Sequence, residues 1–140
     1  MLYLEDLKVG DHFISREYEM TLDEVKQFAG QYDPQPFHLD EQAAAQHPVF
    51  QGLAASGWHT SAVTMRLWTE CFPVAGGLVG TESVISTSTC ILSPTRVGDK
   101  IHVEVEITDS VPTRPPATGK HSVHKRIVTA EVCHPLAANP

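Results

Sequence analysis

The clearest hydrophobic pattern in the chain is a strict alternation over residues 101–107, IHVEVEI. Alternation of this kind is typical of an antiparallel strand with one buried face. It predicts that Ile101, Val103, Val105 and Ile107 point inward and that His102, Glu104 and Glu106 point outward. Less regular patterns predict further strands over 12–20, 78–92 and 122–133. In the first of these, Ile14, Tyr18 and Met20 are expected on one face.

Two short helices are predicted on either side of a proline-rich segment. The first covers residues 22–29, follows the capping box TLDE, and is expected to end at Gly30. The second covers 41–45 and begins at Asp40, whose carboxylate can cap it. The segment between them, QYDPQPFHLD at 31–40, is predicted to be a stiff, non-helical loop because of its prolines.

The longest helix is predicted over residues 53–71, after a glycine-punctuated turn. Apolar and small residues occur almost all the way round it, so we expect other structure to wrap it and Trp58, Met65 and Trp68 to lie in the core. The predicted order indicates an α+β fold: one strand, short helices, one long buried helix and then a run of antiparallel strands. A curled antiparallel sheet wrapped around the long helix would satisfy both patterns.

The size and charge of the chain narrow the functional classes. Its 140 residues fit a single domain over 1–140, with a loosely ordered tail at 134–140. The formal net charge of −7 argues against nucleic-acid binding and against binding to anionic membranes, because both use basic patches. No stretch approaches the roughly 20 apolar residues of a membrane span, and the start MLYLEDLKVGD does not resemble a signal peptide. We therefore expect a cytoplasmic protein.

The cysteines and histidines give no sign of a disulfide framework or a metal site. Cys71, Cys90 and Cys133 are scattered and form no CxxC motif, so free thiols are expected. His121 and His124 are close together, but nothing nearby completes a ligand set, so no metal is predicted.

Asp33 and His38 are an acid and a base separated by two prolines. If only these two residues are considered, the simplest interpretation is that Asp33 is a turn residue and His38 a surface residue. The alternative is a proton-transfer pair held by a stiffened loop. Five residues of extended chain span roughly 15 Å, so the loop must fold back on itself for the pair to meet.

Three segments resemble the MaoC-like dehydratase family of hot-dog folds, which includes the (R)-specific enoyl-CoA hydratases. They are YDPQPFHLD at 32–40, PVFQGLAASGWHT at 48–60 and PTRVGD at 94–99. The hydratase signature has Asp and His five residues apart and a proline two residues before the His, as in Asp33 and His38 here. Gln35 stands where those enzymes often have asparagine.

The resemblance implies hydration of a 2-enoyl-CoA thioester, or the reverse dehydration, with Asp33 and His38 acting through one bound water. Which of them handles which proton stays open. Backbone N–H groups at the start of the long helix would hold the thioester oxygen. The residues predicted to bind substrate are Gln35, Pro36, Gly52, Leu53, Ala54, Ala55, Ser56 and Gly57, with Ser56 and Gly57 less favoured as donors. Arg96 and Lys100 are candidates for the coenzyme A phosphates, and no further cofactor is implied.

Two other functions remain open for the same fold. One is an acyl-CoA thioesterase, in which a carboxylate activates water against the thioester carbon. The other is an acyl-CoA-binding protein without turnover. In either case the uncovered sheet edge of a lone hot-dog unit suggests a homodimer or larger homo-oligomer. His59 is expected to be a hydrogen-bonded core or interface histidine rather than a second base.

Overall fold

The fold combines short antiparallel strands with one long helix. The structure is a computed structural model and describes residues 3, 6–72, 94–112 and 126–133, with the backbone alone for 110–112 and 126–133. Its elements are β1 (His12–Ile14), β2 (Tyr18–Glu19), α1 (Leu22–Tyr32), α2 (Pro36–Leu39), α3 (Glu41–Gln46), α4 (Gly57–Cys71), β3 (Lys100–Ile101), β4 (Glu104–Pro112) and β5 (Arg126–Cys133). The strand predicted over 78–92 and the tail at 134–140 lie outside the described residues.

Strand β4 lies at the centre of a three-stranded antiparallel sheet in the order β1-β4-β5. Val105 is paired with Phe13 on one side and with Val132 on the other. Residues 126–133 of the segment predicted as a strand over 122–133 therefore join the sheet as β5, and 122–125 lie outside the described residues. Strands β2 and β3 form a separate antiparallel pair in which Tyr18 lies opposite Ile101.

The alternating segment forms the sheet side of the hydrophobic core. All four residues predicted to point inward are buried, and they cluster with Val63, Leu67 and Trp68 from α4. The predicted alternation is confirmed, because a period of two is what one buried sheet face requires. One detail differs: the segment is divided between β3 and β4 rather than forming a single strand.

The strand predicted over 12–20 is two strands, so one of its predicted faces is wrong. Met20 is buried and Tyr18 partly buried, but the Ile14 side chain is 59% exposed. Between β1 and β2 the chain changes partner, from β4 to β3. The prediction assumed that side chains alternate between two faces without interruption over 12–20. The alternation is interrupted where the chain changes partner.

Helix α1 is longer than predicted, because Gly30 does not end it. A glycine ends a helix when it takes a left-handed conformation, and Gly30 keeps helical backbone. The helix runs on to Tyr32 and ends at Asp33, whose N–H donates to the Ala29 carbonyl. The following Pro34 disfavours helical backbone in the residue before it, which explains the end.

The proline-rich segment is also more helical than predicted. Pro36 occupies the first position of the one-turn helix α2, where the missing N–H costs nothing and the fixed φ favours a helix. The prediction of a wholly non-helical loop is therefore wrong. The next helix, α3, is confirmed: the Asp40 carboxylate accepts from the N–H groups of Gln42 and Ala43.

Helix α4 begins at Gly57, four residues later than predicted, with Ser56 as its N-cap. One face of the helix is buried, but Trp58 is 75% exposed and Ala62 and Arg66 are exposed on the other face. The prediction that Trp58 lies in the core is therefore wrong, and the helix is buried on one face rather than almost all the way round. Trp68 is buried as predicted, and Met65 packs partly buried against the core.

We expect Leu67→Ala to lower the free energy of unfolding by about 2–5 kcal/mol, because Leu67 is fully buried between α4 and the sheet. Denaturant unfolding measures the change. Thr69→Ala, on the exposed face of the same helix, is the matched control and should stay within about 0.5 kcal/mol of the parent protein. Equal losses in the two variants would contradict this arrangement of the core.

Candidate active site

The centre of the site is a direct contact between Asp33 and His38. The Oδ2 atom of Asp33 lies 3.3 Å from Nε2 of His38. The side chain of His38 is 5% exposed and that of Asp33 is 18% exposed. The turn of helix α2 folds the loop back, so the predicted approach of the two side chains is confirmed. Their catalytic roles stay a prediction.

The other nitrogen of His38 is held by the chain that leads into α4. His38 Nδ1 lies 2.7 Å from the carbonyl oxygen of Ala54. A carbonyl oxygen can only accept, so Nδ1 carries a proton. Nε2 then faces Asp33, and it can donate to the carboxylate only when the ring is protonated on both nitrogens. Nε2 is therefore the ring nitrogen that is available to Asp33.

Two further side chains hold the Asp33 carboxylate. The hydroxyl of Ser56 donates to Oδ2 over 2.7 Å, and the side-chain amide of Gln35 donates to Oδ1 over 2.6 Å. These two hydrogen bonds, followed by the charge of His38, lower the pKa of Asp33 below its usual value of 3.8. The carboxylate is consequently ionised at neutral pH, although it is partly shielded from water.

The role of Ser56 was missed in the sequence, where it stood only as a less favoured donor. It is fully buried, and its oxygen both accepts from the Trp58 N–H at the start of α4 and donates to Asp33. Its N-cap position was the available signal, since serine is a preferred N-cap residue. Gln35 and Pro36, also predicted at the site, are exposed, and Gln35 contacts Asp33.

The later start of α4 changes the set of donors available to an oxyanion. The N–H of Ala54 donates to the Phe37 carbonyl and that of Ala55 to the Thr95 carbonyl. The prediction that these two amides bind the thioester oxygen is therefore wrong. Gly57 is the first residue of the helix, and its N–H makes no hydrogen bond to another described residue.

The space beside Gly57 is open as well. A Cβ atom added to it would meet no described residue within 4 Å outside its own helix turn, whereas one added to Gly52 would lie 3.3 Å from Nη1 of Arg96. Gly57 is therefore less crowded by described residues than Gly52, and oxyanion binding by Gly57 stays a prediction. Leu53 packs partly buried against the core, and a role for Gly52 or Leu53 stays a prediction.

The two candidates for coenzyme A phosphates lie in different surroundings. The Arg96 guanidinium donates to the carbonyls of Phe50 and Gly52, so these donors serve the protein's own backbone. Lys100 is exposed and lies 3.9 Å from a carboxylate oxygen of Glu17. Phosphate binding by either residue stays a prediction.

His59 lies in the seam between α1 and α4. It is 6% exposed and its ring stacks on Phe28, with ring centroids 4.8 Å apart. Burial lowers its pKa, and Nδ1 has no hydrogen-bond partner among the described residues. The prediction of a buried histidine is confirmed, but the hydrogen bond expected for it is not found at Nδ1.

The family comparison covers most of the chain. A family model described as "MaoC like domain" matches residues 7–130. The uncharacterized protein YdeM of Bacillus subtilis (strain 168) is 30% identical over 114 residues, which are 79% of this chain and 77% of that protein. The 3-hydroxybutyryl-CoA dehydratase of Methylorubrum extorquens is 32% identical over 115 residues, 81% of this chain and 69% of the enzyme.

Solved structures show the same fold. The MaoC-like dehydratase from Rhodospirillum rubrum has a TM-score of 0.77 and 41% identity, over 96% of this chain and 85% of the other. The (R)-hydratase from A. caviae has a TM-score of 0.59 and 25% identity, over 79% and 80% of the two chains. The hot-dog fold that the resemblance implied is confirmed. Within the described residues, the helices are too short or too polar to cross a membrane.

We expect Ser56→Ala to raise the pKa of Asp33 toward its usual value, because the variant loses the hydrogen bond that contributes most to lowering it. The Asp33 carboxyl carbon, followed by NMR against pH, reports the change. A lowered pKa stabilises the fold above the unfolded value, and this stability is lost as the pH falls through the folded value. The variant should therefore lose less stability on acidification.

Ser61→Ala is the matched control for this titration. The Ser61 hydroxyl donates to the carbonyl of Gly57 within the same helix rather than to Asp33. Its removal should leave the Asp33 titration unchanged. An unchanged Asp33 pKa in Ser56→Ala would contradict the role given to the Ser56 hydroxyl.

Proposed function

The chain belongs to the MaoC-like domain family, and on that premise we propose that it adds water to a 2-enoyl-CoA thioester and catalyses the reverse dehydration. The observation that carries the proposal is the 3.3 Å contact between the Asp33 carboxylate and Nε2 of His38. A base and an acid at one point are what addition of water across an activated double bond requires. The 3-hydroxybutyryl-CoA dehydratase relative supports a thioester of coenzyme A as the substrate class.

In the proposed hydration the ionised Asp33 accepts a proton from the bound water, whose oxygen forms the new bond to C3. The electron pair of the double bond moves toward the thioester and leaves negative charge on its oxygen. His38, protonated on both nitrogens, then gives the Nε2 proton to C2. One water has been added, and the pair is left as a carboxylic acid beside a neutral imidazole.

The direct contact between the two residues allows the pair to return to its starting state. The proton on the Asp33 carboxyl passes to Nε2 of His38 across their 3.3 Å separation. Dehydration uses the same steps in reverse, with neutral His38 taking the C2 proton and the Asp33 carboxyl protonating the departing hydroxyl. No net proton is exchanged with solvent, which suits a pair that is largely buried.

The negative charge on the thioester oxygen is assigned to the N-terminus of α4. The N–H of Gly57 and the positive end of the helix dipole would stabilise it there. Two features support this placement: the open space beside Gly57, and the hydrogen bond from the neighbouring Ser56 to Asp33. Ser56 would thus connect the oxyanion donor with the proton-transfer pair, because it precedes Gly57 and donates to Asp33.

We expect Asp33→Asn and His38→Gln each to lower kcat for hydration of crotonyl-CoA by about 10²–10⁴-fold, because each removes one proton-transfer group. Loss of the enoyl absorbance measures the rate, and a thiol reagent run in parallel detects free coenzyme A. Asp23→Asn, an exposed carboxylate in the first turn of α1, is the control and should keep full activity.

The outcomes separate the three candidate functions. Release of thiol without formation of a 3-hydroxyacyl product would identify a thioesterase. An enoyl absorbance that stays constant with short, long, branched and dicarboxylic enoyl-CoA substrates would overturn the hydratase proposal and leave an acyl-CoA-binding protein. Full activity in Asp33→Asn would overturn the mechanism.

A further inference from the structure

The turn between Phe50 and Ala54 has a backbone that its own sequence does not favour. Gln51 has φ of 51°, which places a residue with a side chain in the left-handed region. Such a conformation costs free energy in any residue other than glycine and persists where the surroundings impose it. The turn therefore needs an external restraint.

Arg96 provides contacts on both sides of that residue. Its Nη1 donates to the carbonyl of Gly52 over 2.8 Å and its Nη2 donates to the carbonyl of Phe50. Gln51 lies between the two carbonyls. The guanidinium is planar and presents its donors at a fixed spacing, so it holds two acceptors in one relative geometry. A Cβ at Gly52 would lie 3.3 Å from Nη1, so glycine leaves the room for this approach.

Arg96 is itself anchored by its backbone. Its N–H donates to the Asp99 carboxylate over 2.8 Å, and it forms an antiparallel bridge with Ala54. The preceding Thr95 carbonyl accepts from the Ala55 N–H over 2.8 Å. The turn at 94–99 is thus hydrogen-bonded to the segment 50–55 through the Arg96 side chain and through the backbone.

The segment 50–55 also contacts His38 and its neighbour Phe37. The Ala54 N–H donates to the Phe37 carbonyl, and the Ala54 carbonyl accepts from His38 Nδ1. The rings of Phe37 and Phe50 are stacked, with centroids 4.5 Å apart. A shift of the turn would move the oxygen that selects which nitrogen of His38 carries a proton.

We propose that Arg96 is a positioning residue for His38: by clamping the Phe50 and Gly52 carbonyls it keeps the Ala54 carbonyl on Nδ1 and leaves Nε2 facing Asp33. This inference differs from phosphate binding by Arg96. The predicted effect on kcat rests on the proposed function. The predicted effect on the His38 tautomer does not, because it is measured on the protein without substrate.

The first test is ¹⁵N NMR of the His38 ring in the parent protein and in Arg96→Ala, with the signal assigned through its loss in His38→Gln. The parent should show Nδ1 protonated at every pH at which the fold is intact. Arg96→Ala should show a mixture of neutral tautomers at high pH. Identical His38 spectra in the two proteins would overturn the proposal, whether or not the protein hydrates enoyl-CoA.

The second test separates positioning from substrate binding by kinetics. Arg96→Ala should lower kcat by about 10–100-fold with KM changed less than about threefold, because misplacement of a catalytic group acts on the chemical step. A raised KM with unchanged kcat would instead assign Arg96 to the substrate and overturn the proposal. Arg66→Ala, which removes a cation from the exposed face of α4, controls for the lost charge.

Two variants keep the test decisive if Arg96→Ala does not fold. Arg96→Lys retains the charge but lacks the planar fork, so it should shift the His38 spectrum and kcat in the same direction and by less. Adding Gln51→Gly to Arg96→Lys should restore part of the loss, since glycine takes the left-handed conformation without the clamp. Full activity and an unchanged spectrum in Arg96→Lys, or no restoration by Gln51→Gly, would count against the clamp.

Discussion

The hydrogen bond between His38 Nδ1 and the Ala54 carbonyl is the constraint on which the site depends. It is short and buried, and its acceptor is a carbonyl oxygen, so Nδ1 is the donor in this contact. The other nitrogen is thereby directed at Asp33. Without this bond a histidine on a one-turn helix would have two tautomers and a freer ring, and proton transfer would need an additional step to select the reactive form. The carbonyl comes from backbone, so its position depends on the turn that carries it.

The negative charge of Asp33 lies next to this bond, between the ends of two helices. Asp33 is at the C-terminal end of α1, where a helix dipole disfavours a negative charge, but it contacts the N-cap serine of α4, where the dipole favours one. Hydrogen bonds from Ser56 and Gln35 add to the second effect and keep the carboxylate ionised although it is partly buried. A chain of net charge −7 thus keeps a local site in which one carboxylate is matched by an imidazole and by oriented donors.

Several features could be predicted because they depend on short stretches of sequence. The buried face of the alternating segment and the cap of α3 by Asp40 follow from side-chain periodicity and local hydrogen bonding. The pairing of Asp33 with His38 was predicted from a signature rather than from local physics. The prolines alone suggested an irregular loop, and the structure shows that Pro36 instead starts the helical turn that brings the histidine back.

The features that were predicted wrongly are those that depend on distant parts of the chain. The start of α4 moved from Leu53 to Gly57 because Ala54 forms an antiparallel bridge with Arg96, and its carbonyl accepts from His38 Nδ1 instead of from the Trp58 N–H as a helix would require. Arg96 turned toward two carbonyls for the same reason. The sequence by itself determined where a candidate acid and base lie along the chain and which face of the alternating segment is buried, since these are properties of residue type and spacing. The tertiary structure alone decided which backbone groups are engaged and which remain free, because a hydrogen bond between distant segments exists only after the chain has folded.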